Sequence, residues 1–306
     1  IEINTTGSTL PLRTGAFYFN TSGVKASSDI DSARLFYTGT DPNFMAHHQV
    51  AAAVKPMSPF TFLTDVGLQE GTNYFWLAYD VEANAVPGNT LDAILDSVVV
   101  DDTARLPLVS DPAGSRTILE AMQGTYIIDH AGTGDYLSFT LAVNDLIVRG
   151  ITDSVTFLVK PGQYVEQVSI PEIMGTTDTS GIRFTSFTGD SSSVILKYTV
   201  IDNNLNYVLR LNGADHIVLD RITMQADDAG LKASVLGGRV LEYFNSASHN
   251  TVTGCALIGL PINTTSTTYA VIYSSGGNDD YNRFIGNLVK NGSYGAYLWG
   301  YGFSYP

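Results

Sequence analysis

The sequence predicts an all-β chain in two parts, a β-sandwich followed by a coiled stack of short strands, and three observations carry that expectation. Of the 306 residues only 15% are charged while 29 are glycine, the profile of many short strands joined by tight turns rather than of charged helices. The first hundred residues hold strand-length apolar stretches bounded by Gly, Pro, Asn and Asp. The last hundred hold pairs of such stretches that return at a near-constant interval.

The chain exceeds the usual size of one domain, so two domains, or one domain joined to an elongated repeat, are expected. Sixteen Lys and Arg stand against 30 Asp and Glu, a net charge of -14, which argues against phosphate backbones and anionic membrane surfaces as partners. No apolar run approaches the roughly 20 residues of a membrane span, so neither nucleic acid nor membrane insertion is expected. The opening "IEINTTGST" has no basic and apolar leader, and the chain reads as a soluble mature product or an excerpt. Cys255, the single cysteine, forms no internal disulfide and is read as a small buried apolar residue.

In the first part, "SARLFYTGT", "FTFLTDVGL", "GTNYFWLAYDV" and "ILDSVVVDD" read as sandwich strands. "NYFWLAYD" is apolar on both faces, which marks a central strand and assigns Trp76 to the core rather than to a sugar. Pro107, Pro112 and Gly114 break the periodicity that follows. Residues 1–106 are therefore read as the sandwich, 107–124 as a linker and 125–306 as the coil.

One helix is expected early in the coil. In "DYLSFTLAVNDLIVRG", Phe139, Ala142, Val143, Leu146 and Ile147 form one apolar stripe, with Asp135 or Ser138 as start and Gly150 as stop. Its place just before the first coil suits it to capping an open end. Beyond it, "HIVLDRITM", "NTVTGCALI" and "NRFIGNLVK" begin 34 and 32 residues apart, and "YVLRLNG", "RVLEYFN", "AVIYSSG" and "AYLWG" begin 32, 31 and 26 apart. Two strands per unit at such spacing predict the rungs of a right-handed parallel β-helix. Aligned this way, Val218, Val252 and Phe284 stack inside, and Asp220-Arg221, Gly254-Cys255 and Gly286-Asn287 form the corners. Asparagine recurs there because it tolerates left-handed backbone and bonds neighbouring main chain. The run "YGAYLWGYGFSYP" has no cap pattern, and a longer stack or another chain is expected over that end.

Two stretches carry a family resemblance. "SARLFYTGTDPNF" with "LQEGTNYFWLAYDVEANAVPGNTLDA" resembles the N-terminal domain ahead of BNR-repeat sialidase-like proteins. "GTYIIDHAGTGDYLSFTLAVNDLIVRGITDSVTFLVKPGQYVEQVSIP" resembles the opening of the pectin-lyase-like β-helix superfamily. Together they are similar to large multidomain surface proteins of gliding and marine bacteria, which implies type IX export, an extracellular or cell-surface location and a role in adhesion.

The pectin-lyase-like resemblance also raises enzymes, whose sites need calcium-holding carboxylates beside a base, or paired carboxylates with an arginine on adjacent rungs. The positions available here are mostly Thr, Val, Ser and Tyr. Asp220 and Arg221 read as a local turn pair, no Gly-x-Ser-x-Gly elbow occurs, and no catalytic residue, cofactor or enzymatic activity is expected. Asp227-Asp228 and Asp279-Asp280 are the candidates for calcium, although neither has the alternating spacing of a dedicated loop. His47-His48 would point to opposite faces of a strand and chelate nothing. For glycan contact the candidates are Tyr243, Tyr273, Tyr297, Trp299 and Tyr301. The leading reading is a structural and adhesive module that meets cell-surface glycans or further copies of itself; a carbohydrate-binding module and a polysaccharide-degrading enzyme are the alternatives.

Overall fold

The computed structural model describes residues 1–7, 10–21, 27–46, 48–227, 236–275 and 278–300. The chain divides into two compact units, Ile1–Glu120 and Ala121–Pro306. Residues 107–124, read as a linker, are shared between them. Arg116–Thr117 pairs with Thr90–Leu91 in the first unit, and the strand Met122–Ile128 opens the second.

The first unit is a β-sandwich of antiparallel sheets. One sheet runs Glu2–Thr5, Gly71–Val81, Ile30–Tyr37; the other runs Phe60–Gly67, Arg13–Asn20, Ile94–Val100, Thr103–Arg105. Alternate residues of the two central strands meet between the layers, where Phe17 and Phe75, both 0% exposed, lie 4.8 Å apart. Gly71–Val81 is central, as its apolar faces predict. The face that carries Trp76 is half-buried rather than sealed: its ring packs near Phe44, and its Nε1 donates to Thr38 Oγ1 at 3.0 Å. That bond anchors the indole in the sandwich.

The second unit is a right-handed parallel β-helix, the hand that parallel crossover connections adopt. Its first sheet stacks Met122–Ile128, Ile151–Val159, Ile182–Ser186, Ile217–Asp220, Thr251–Thr253 and Arg283–Ile285. The second stacks Gly162–Val165, Val194–Tyr198, Thr223–Ala226, Ala256–Ile258 and Leu288–Lys290. The third stacks Val168–Pro171, Leu209–Asn212, Leu241–Phe244, Ile272–Ser275 and Ala296–Trp299. Successive coils lie one strand spacing apart, about 4.8 Å. Inside, Phe157, Phe184, Leu219, Val252 and Phe284 form one column, with Phe157 and Phe184 stacked at 4.7 Å.

That column corrects the alignment drawn from the sequence. Leu219, not Val218, lies under Val252, and Arg221 lies level with Gly254. Asn212 to Phe244 is an offset of 32 residues in the third sheet, whereas Val218 to Thr251 is 33 in the first. The turn 245–250 thus holds one residue more than its counterpart 213–217, whereas the alignment allows two by setting Asn250 rather than His249 level with His216.

The asparagines bond neighbouring main chain as expected, but most left-handed positions go to other residues. The left-handed corner positions belong to Arg221, Gly254 and Gly286, and, where the third sheet feeds the first, to Asn245 and Ser246 as well as His216, His249 and Tyr281. Asn250, Asn282 and Asn287 keep ordinary backbone and bridge coils with their side chains. Asn250, fully buried, accepts from Ile217 N at 2.8 Å and donates to Ala214 O at 2.8 Å. Asn282 accepts from Asn250 N and donates to Ala247 O; Asn287 accepts from Cys255 N and donates to Val252 O. Of the segment "NRFIGNLVKNG", only Asn291 among its asparagines has positive φ.

The helix Phe139–Arg149 covers the N-terminal side of the coil with Phe139, Ala142, Val143 and Leu146; Ile147, expected in the same stripe, is 50% exposed. Ser138 caps it by accepting from Leu141 N at 3.1 Å. Glu166 of the first coil adds a second cap, its carboxylate accepting from Phe139 N at 2.9 Å and Thr140 N at 2.8 Å, where negative charge also suits the helix dipole. Gly150 ends the helix at φ +62, where a Cβ would stand 2.8 Å from Met174 O.

Asn250→Ala is expected to leave the buried Ile217 N–H and Ala214 C=O without partners and to cost about 3 kcal/mol. Asn250→Asp, which keeps the acceptor alone, should also destabilise. Urea unfolding followed by far-ultraviolet circular dichroism checks both.

Candidate functional site

The aromatic residues expected to meet glycans fall on both sides of the third sheet. Side chains alternate along a strand, and the register places Ile170, Leu211, Tyr243, Ser274 and Leu298 in one column and Ser169, Arg210, Glu242, Tyr273 and Tyr297 in the other. Tyr243 is 2% exposed and points into the coil, so it offers no ring to a ligand on the wall. Burial raises its hydroxyl far above the ordinary tyrosine range. Tyr273, Tyr297 and Trp299 lie on the outer face, and Tyr301 lies outside the described residues.

The outer column is a charged and aromatic ladder. Glu242, 3% exposed, accepts from Arg210 Nε at 2.5 Å through one carboxylate oxygen and from Arg239 Nη1 at 2.6 Å through the other. The Arg210 guanidinium lies 4.0 Å from the Tyr207 ring and 4.9 Å from that of Phe244. Arg239 lies 3.3 Å over one face of Tyr273, and Tyr297 stacks on Tyr273 at 5.7 Å and 11°. Each contact crosses from one coil to another or ties a coil to its own turn. Desolvated cation–π pairs of this kind contribute about 1–2 kcal/mol each, and a buried carboxylate is tolerable only with such partners. Tyr273 therefore has an arginine and a tyrosine where a sugar would stack. Trp299, 60% exposed, presents the most open aromatic surface of the group.

A second polar cluster lies at the corner between the first and second sheets. Asp220, read from the sequence as half of a local pair with Arg221, also accepts from Arg183 Nη2 at 2.6 Å and Thr185 Oγ1 at 2.7 Å on the coil below, beside Arg221 Nη2 at 3.0 Å. Burial alone would raise its carboxyl, but the Arg221, Arg183 and Thr185 donors outweigh burial and hold it below 3.8. Cys255 is buried as expected, and burial pushes its thiol up to about 11, so it is held as the thiol near neutral pH.

The acidic pairs are dispersed. Asp227 pairs with Lys197 at 3.1 Å, Asp279 Oδ2 accepts from Ser274 Oγ at 2.6 Å, and Asp280 is exposed. Asp279 Oδ1 and the Tyr243 hydroxyl are buried without a protein partner. Among the described residues, no group of three or more His, Cys, Asp or Glu has the arrangement to hold a metal ion. Asp228 and His47 lie outside the described residues.

Sequence reasoning missed Arg183, Arg210, Arg239 and Glu242. A signal was available for two of them: Arg210 and Glu242 hold the same place in "YVLRLNG" and "RVLEYFN", and opposite charges at one repeat position predict an inter-coil pair. Arg183 lies outside the aligned segments.

Fold and lateral ladders together define the second unit as a parallel β-helix. No protein-family model matches the chain, and no curated protein matches it. Two crystal structures of Aspergillus niger pectin methylesterase, in deglycosylated and penultimately deglycosylated forms, resemble it at 14% and 15% identity, each with a TM-score of 0.35. Each alignment covers 56% of this chain and 58% of the esterase chain, so this chain spans little over half of that enzyme's length. The expectation that the chain is not an enzyme is corrected to this extent: the solved structures found are those of an enzyme, and at this identity they bear on the fold alone.

Acidification supplies a test of the Asp220 cluster. A carboxyl held below 3.8 in the fold stabilises at neutral pH and loses that contribution as pH falls through and below that value. Asp220→Asn is expected to cost about 2 kcal/mol at pH 7, where it removes the carboxylate that Arg183 and Arg221 hydrogen-bond while both guanidinia keep contact with water. The same variant should lose less stability than the parent between pH 5 and about pH 2. Denaturation midpoints across that range check both expectations.

Proposed function

We propose that the chain is a structural and adhesive module of an extracellular protein at a bacterial surface, with the parallel β-helix as its stiff element. The observation that supports this reading best is the ladder on the third sheet. Arg210, Glu242, Arg239, Tyr273 and Tyr297 are joined to one another across successive coils, which suits an outer wall that resists separation of the coils. Buried stacks and paired charges add to the main-chain bonds that would have to break together under load. In this proposal the N-terminal unit is the BNR-associated domain, type IX export places the protein outside the cell, and the contacts are with surface glycans or further copies of the chain.

Adhesion of beads coated with the full chain to polysaccharide films and to bacterial cells, measured under flow, tests the role. Retention above that of albumin-coated beads is the expected outcome. Retention no greater than albumin would overturn it, and methanol release from methyl-esterified pectin by the same preparation would replace it with an esterase reading.

A further inference from the structure

A groove of about 400 Å³ lies on the outer face of the first sheet, away from the ladder of the third. Its floor is the outward column Thr156, Arg183 and Val218. The turn carrying Thr177, Asp178 and Thr179 forms one side, and His216 and His249 form another. The two imidazoles stack at 5.2 Å and 21°, and His249 stacks in turn on Tyr281 at 4.7 Å. All three residues hold left-handed backbone, an unfavourable conformation for such side chains. Successive turns thus stack three rings, of which His216 and His249 line the groove beside Arg183.

The polar groups of this groove have capacity left over. Arg183 gives Nη2 to Asp220, and its Nε and Nη1 remain available to a ligand. Asp178 is 88% exposed, and its nearest ionic partner is His216 Nε2 at 3.8 Å, too long for a hydrogen bond. Thr177 is committed to its own turn, accepting from Thr179 N and Ser180 N, which holds Asp178 at the rim. Donors and an open carboxylate acceptor therefore converge on a cavity of ligand size.

Charge decides the kind of ligand. Arg183 and Arg221 are balanced by Asp220 beneath the floor and by Asp178 at the rim, so the groove offers no net positive field to draw in an anion. A carboxylate acceptor beside guanidinium and imidazole donors complements a pair of adjacent hydroxyls, which both donate and accept. We propose that this groove is a binding site for a neutral saccharide, with Asp178 accepting from vicinal hydroxyls, Arg183 donating to them and the His216–His249 edges closing the side. The site gives the glycan contact of the adhesive reading a place and a sugar class, and a chain that binds sugar here without retaining beads under flow would fail that reading while keeping this one.

The chain has five histidines, so imidazole proton resonances of the full chain can be followed while mannose, galactose and glucose are titrated in, with a glycan array run in parallel. Saturable shifts of the His216 and His249 signals with at least one neutral sugar are expected, at affinities on the order of millimolar. Asp178→Asn should weaken binding at least tenfold, and because it lies on an exposed turn it should leave the fold intact. Arg183→Gln should weaken binding comparably, while Tyr297→Ala on the third sheet should not. No shift with any neutral sugar, binding unchanged in Asp178→Asn, or binding confined to galacturonate or inorganic sulfate would overturn the assignment.

Discussion

The main-chain hydrogen bonds between successive coils are the constraint on which the rest of the second unit depends. Each strand of the three sheets is paired in parallel with the strand of the coil before it, such as Ile182–Ser186 on Ile151–Val159 and Leu241–Phe244 on Leu209–Asn212. Once that pairing is made, each residue sits one strand spacing from its counterpart, and the side chains have no freedom over which neighbour they meet. A phenylalanine must then stack on a phenylalanine or an aliphatic residue inside, and a charge outside must meet its complement or water. Phe157 on Phe184 and Arg210 on Glu242 are the two outcomes of the same rule.

Turns obey the rule less strictly, and there the chain uses side chains to close what the main chain leaves open. Groups leaving a strand cannot all reach the next coil, and a buried amide without a partner costs about 1–3 kcal/mol. Asn250, Asn282 and Asn287 each supply an acceptor to an N–H and a donor to a carbonyl of the coil below. An aspartate could not do both, and a glutamine would carry one more rotatable bond. The bend itself falls to residues placed one turn position away, Gly254 and Gly286 with φ near +60. At the same level in the coil below, Arg221 accepts the strain while its guanidinium pairs with Asp220.

How much of this was legible in the sequence follows from how far each signal is local. The helix could be read nearly to its ends, because periodicity, Ser138 and Gly150 all lie within one short segment. Its stripe was drawn too wide only at Ile147, a position set by how the helix lies on the coil. The β-helix could be read from spacing, but its register could not, since the turn 245–250 adds one residue to the first-sheet offset and aligning the segments on Asn250 adds two. Tyr243 was misplaced for a related reason: in "RVLEYFN" a strand of four residues is too short for alternation to name its inner face. Arg183 and Asp220 stand 37 residues apart in sequence, and no local pattern joins them.

The same geometry separates the two outer faces as places for chemistry. On the third sheet Glu242 has both oxygens occupied by guanidinium donors, and Tyr273 lies between an arginine and a tyrosine. A ligand there would have to displace contacts that already hold coils together, and the released carboxylate would remain desolvated beside its former partners. On the first sheet the buried carboxylate Asp220 is similarly engaged, but it lies under the floor and draws only one N–H of Arg183 inward. The rest of that guanidinium, the rim carboxylate of Asp178 and the imidazole edges can gain partners without losing any. Where polar groups are incompletely bonded, a ligand adds interactions without first breaking others, and this distinction follows from one coil placing Arg210 opposite a glutamate while another places Arg183 opposite Val218.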